Sequence, residues 1–97
     1  MTTGAIYKTI MGQIRETFSV DALVMDFQEW VPGGRITVDW YSDVLTGRLY
    51  GLIDAADALG VSGAEMRKLK DLERRAEDNI MKAYKVVYDS MNGRRAA

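Results

Sequence analysis

Aspartate, glutamate and tyrosine are the side chains here that could do chemistry, because the 97-residue chain has neither histidine nor cysteine. Without histidine, the commonest general base and metal ligand is missing. Without cysteine there is no disulfide, no thiolate nucleophile and no thiolate zinc site. Asp26 and Asp39 could share a cation, but two carboxylates with no further ligand make a poor site. No serine and lysine stand at a spacing that suggests a nucleophile and its base. The stretch Gly47-Arg48-Leu49-Tyr50-Gly51 matches no phosphate-cradling fingerprint and falls inside a helical pattern. The expectation is a protein that is not an enzyme and carries no metal or cofactor.

Charge is more informative. Net charge is −1, yet residues 16–57 hold eight acids against Arg35 and Arg48, a balance of −6. Residues 58–97 balance at +3 and residues 1–15 at +2. Such asymmetry speaks of partners rather than fold. No apolar run approaches the roughly 18 residues that a membrane span needs. The first residues lack a basic start and an unbroken apolar block, so they do not read as a signal peptide. The expected location is cytoplasmic.

The elements that must position these groups follow from hydrophobic period. A chain of this length makes one domain, 1–97. Ile6, Ile10, Ile14 and Phe18 recur every fourth residue and predict a helix over about 3–18. Residues 22–31 and 35–41 alternate, which predicts two strands. Leu23, Met25 and Phe27 share one face with Ile36, Val38 and Trp40. Pro32-Gly33-Gly34 between them reads as a hairpin turn, placing the β-hairpin at about 22–41. A Gly33-Gly34 loop suits a type I′ turn and sets Asp26 opposite Tyr41. The alternative Pro32-Gly33 loop would set Asp26 against Asp39, a like-charge pair.

A second helix is predicted over about 43–59, with Gly60 as its terminating glycine. Ser62 and Glu65 form a capping box for a third helix over about 62–91, with a frayed tail at 92–97. At 1.5 Å per residue that third helix is roughly 43 Å long. Only a tight turn separates it from the second helix, so the two should pack antiparallel. The second helix covers only part of it. The remainder, where Met81, Tyr84, Tyr88 and Met91 widen the apolar stripe, needs the hairpin, the first helix or a second copy as cover. The fold class predicted is α+β, in the order α-β-β-α-α.

Two surfaces emerge. Asp26, Gln28, Trp30, Asp39 and Tyr41 on the outward hairpin face, with Asp43, Tyr50, Asp54 and Asp57 on the second helix, form an acidic and aromatic face. It suits docking on a basic surface of a larger protein, since tryptophan and tyrosine are enriched where interfaces are strongest. Gly47, Gly51, Ala55 and Ala58 form a small-residue line on the same helix. Each glycine costs about 1 kcal/mol against alanine in a helix interior. A close backbone would offset that, from within the chain or from a dimer partner.

The function expected is a protein-binding module. Its small size, lack of cysteine and acidic middle are similar to those of inhibitors made by phages or mobile elements, such as anti-CRISPR proteins. The likeness is one of class, with no shared motif. The alternatives are a nucleic-acid-associated regulator, using Arg67, Lys68, Lys70, Arg74 and Arg75, or a homodimeric structural protein. Acids interrupt that basic run, which makes nucleic acid the lesser partner.

Overall fold

Four helices make up the fold, in a computed structural model that describes residues 2–30 and 37–96, with side chains as far as residue 91. Helix α1 spans Thr3–Thr17, α2 Val20–Trp30, α3 Val38–Ala58 and α4 Gly63–Ala96. Hydroxyl caps open the first three. The Oγ1 of Thr2 accepts from the Ala5 amide at 3.2 Å, the Oγ of Ser19 from Ala22 at 3.2 Å, and the Oγ1 of Thr37 from Trp40 at 3.1 Å. Each satisfies an amide that the first helical turn leaves unpaired.

Helix α3 ends as its sequence foretold. Gly60 takes φ +94°, a left-handed value that a side chain would oppose. Its amide donates to the Asp57 carbonyl at 3.1 Å, and the Val61 amide donates to Ala56 at 3.0 Å. This pair of bonds is the Schellman ending, and Val61 seals it by burying its side chain.

The expected hairpin over residues 22–41 does not form, and the fold is all-α rather than α+β. Residues 22–30 lie in α2 and residues 38–41 open α3, and no strand occurs among the described residues. The expected turn at Pro32-Gly33-Gly34 lies outside the described residues. The physical reason is a shared signature. Leu23 and Phe27 fit both a two-residue and a helical period, and both are fully buried. Met25 and Trp40, which strands would have turned inward, are 70% and 55% exposed. Val20, Leu23, Val24 and Phe27 supply the helical stripe instead, and Val38, Tyr41, Leu45 and Leu49 continue it in α3. Helix α3 therefore starts before residue 43. Helix α4 stays helical to Ala96, where a frayed tail from 92 was expected.

The four helices make three rods. Helices α3 and α4 run antiparallel across the turn at Gly60. Helix α1 starts beside that turn, since a Cβ on Gly60 would stand 3.6 Å from the Thr3 methyl. It ends beside Asn79, whose Nδ2 donates to the Phe18 carbonyl at 2.9 Å. So α1 runs parallel to the first half of α4. The chain breaks at Phe18–Ser19, and α2 covers the second half of α4. The extents are 53 × 20 × 16 Å. The longest matches the roughly 51 Å of a 34-residue helix. The cover that the C-terminal half of α4 required is thus supplied by α2 and by the early turns of α3. One apolar core runs through all four helices, and among the described residues it includes no buried polar or charged side chain apart from the Tyr41 hydroxyl. Among the described residues, no helix is long and apolar enough to cross a membrane.

Candidate functional site

The predicted acidic and aromatic face separates into two seams. At the α2–α3 seam, Tyr41 is the centre. Helical spacing puts it on the core side of α3, 2% exposed. Its hydroxyl donates to Oδ2 of Asp26 at 2.7 Å. The Phe27 ring meets it edge-on with centroids 5.4 Å apart, and Trp30 stacks on it at 6.3 Å. The Arg48 guanidinium lies 6.0 Å from the ring centroid, within cation–π range. Burial, helped by the Asp26 hydrogen bond and charge, pushes the Tyr41 phenol up to about 12, with Arg48 opposing. The hairpin register that set Asp26 opposite Tyr41 does not form; the two meet instead through a side-chain hydrogen bond that joins α2 to α3. Gln28 lies on the wall of an open groove with Met25, Asp26, Glu29 and Arg48. Trp30 keeps half of its surface exposed.

The α3–α4 seam gathers the charge. Asp39 accepts a hydrogen bond from the Tyr84 hydroxyl, and Tyr84 stacks on Tyr88 with centroids 5.7 Å apart. Further along, Tyr50 stands beside Glu77 and Glu73, and Glu73 beside Asp54. Their surroundings favour the protonated forms of these groups. The charge of Glu77 is the main cause that raises the Tyr50 phenol, with Glu73 adding to it. Partial burial raises the Glu73 carboxyl first, and Glu77 and Asp54 raise it further against Lys70 and Arg74. The hydrogen bond to Asp39 raises the Tyr84 phenol. Asp43 and Asp57 are exposed on the same helix as Asp39 and Asp54.

The sequence reading missed the α4 half of this seam. It placed Met81, Tyr84 and Tyr88 in a widened apolar stripe, yet Met81 is 61% and Tyr88 45% exposed. The signal was available in the tight turn. Asp39 and Tyr84, Tyr50 and Glu77, and Asp54 and Glu73 lie about equally far on either side of it in an antiparallel pair. Asn79 and Arg48 also went unread, since neither belongs to a periodic pattern.

Gly47, Gly51, Ala55 and Ala58 all lie exposed on the outward side of α3. A Cβ added at Gly47 or Gly51 would meet nothing within 4 Å. No other helix of this chain supplies the close backbone that their cost suggested. Among the described residues, no group of three or more acids is placed to hold a metal ion.

Comparison of the chain with protein-family models, with curated proteins and with solved structures finds no match.

Proposed function

We propose that the protein is a non-enzymatic binding module, whose α3–α4 seam docks on a basic surface of a larger protein in the cytoplasm. The observation that carries this reading is the acidic lining of the seam: Asp39 accepts from the Tyr84 hydroxyl, Glu77 and Glu73 stand beside Tyr50, and the like charges of Glu77 and Asp54 bear on Glu73. A partner bringing lysine or arginine would relieve that repulsion. The exposed Met81, Tyr50 and Tyr88 add large apolar surface to it, the mixture that interface hot spots use. The open line of Gly47, Gly51, Ala55 and Ala58 borders the acids of α3 and lets a partner helix approach closely. The absence of cysteine agrees with a reducing compartment.

Affinity capture with mass spectrometry tests the reading, comparing the protein with a variant carrying Asp43→Lys, Asp54→Lys and Glu77→Lys. All three lie on the surface of the seam, and Glu77 faces the exposed Tyr50 hydroxyl. The expected result is a captured protein that the variant loses, with association slowed as salt rises. Equal capture by the protein and its variant would remove the seam from the reading.

A further inference from the structure

On the other side of α4, the groove shared with α1 has the opposite character. Its volume is about 180 Å³, and its walls are Tyr7, Met11 and Arg15 from α1 with Lys68, Asp71, Leu72 and Arg75 from α4. Tyr7, Met11 and Leu72 are half-buried and packed on the core, so they form a fixed apolar floor. Arg15, Lys68 and Arg75 are exposed at the rim, against the single carboxylate of Asp71. We propose that this groove is a second docking site, which takes an acidic segment of a partner protein anchored by one apolar side chain.

Three features favour that occupant. The volume is that of one large apolar side chain and smaller than a typical ligand pocket of about 300–1,000 Å³. The floor combines a leucine, a thioether and one phenol ring, which grip an aliphatic or aromatic anchor. Two guanidiniums, one on each helix, can each take a carboxylate in a two-point fork. A single-stranded nucleic acid would ask for several stacking rings and cations spread along the strand, and here the cations gather at one place. The seam on α3 and this groove do not share residues, so either can be correct without the other.

The test is a titration of isotope-labelled protein followed by amide NMR shifts. The probe is a blocked hexapeptide with a leucine–phenylalanine core between two pairs of glutamates. Shifts should gather at Tyr7, Met11, Arg15, Lys68, Leu72 and Arg75. Arg15→Glu with Arg75→Glu should weaken binding at least about tenfold, the loss of charge-assisted hydrogen bonds. Arg67→Glu, on α4 but outside the groove, should change it less than about twofold. Circular dichroism checks that each variant folds. Lys68→Glu alone serves if the double variant does not. The proposal is overturned by no groove shifts at about 1 mM peptide. It is overturned also by equal binding of a peptide with an alanine core, by tighter binding of oligothymidine to the same amides, or by groove shifts that follow protein concentration alone.

Discussion

Tyr41 holds α2 against α3 through its ring and its hydroxyl at once. The fold favours the protonated phenol, so its folded value of about 12 lies above the ordinary 10.0. The stability it contributes is therefore complete below pH 10 and lost as pH rises toward 12. Denaturant unfolding across that window should show a decline that Tyr41→Phe reduces, and a spectrophotometric titration should lose its highest phenol step in the same variant. If wild type and Tyr41→Phe decline alike, the phenol is not the group responsible. Gly47 and Gly51 make the opposite case. Their surroundings are open, so Gly47→Ala with Gly51→Ala should stabilise the isolated protein by roughly 2 kcal/mol, about 1 at each site. Chemical denaturation measures this directly, and a loss of stability would show that something does lie against the line in solution.

Among the elements, the break between α1 and α2 is held by the Ser19 cap and by one side chain from across the bundle. Phe18 caps the end of helix α1, and its carbonyl accepts from Asn79 across the bundle. Asn79→Ala leaves that carbonyl to water or unpaired, and should cost about 1–2 kcal/mol. Thermal unfolding should register it, whereas replacing the exposed Asn79 neighbour Asp78 should register little. The two α-helical ends and the Gly60 turn were legible in the sequence because each rests on a period of 3.6 or on an unmistakable stop signal. Helix α2 was not legible because five residues are too few to separate the two periods when Leu23 and Phe27 satisfy both. Thr37, three residues before Trp40, was the missed sign that a helix begins there. Tyr50 and Asp54 of the seam were read together because they lie on one helical face, whereas Asp39 was read on a hairpin that does not form. The α4 half needed the register between helices, which only the turn geometry supplies.

At the scale of the whole molecule, width matters more than size. The described residues extend 53 × 20 × 16 Å, with one apolar core running along the long axis. The two flanks of α4 differ in sign. The acidic seam lies toward α3 and the cationic groove toward α1. Charge segregated in this way gives the rod a transverse polarity that a net charge of −1 conceals.

The turn at Gly60 has a kinetic consequence as well. Two long helices joined by so short a link find each other with little loss of chain freedom, whereas α1 must return from far away in sequence. We predict that α3 and α4 assemble first and that α1 and α2 close over them afterwards. Native-state hydrogen exchange should then show the amides of Leu49, Ile53, Leu69 and Ala76 opening only with global unfolding. Those of α1 and α2 should open at lower free energy, as a separate cooperative unit. Equal protection throughout would mean a single unit. If the order holds, the early α3–α4 pair already displays its acidic seam while α1 and α2 are still undocked.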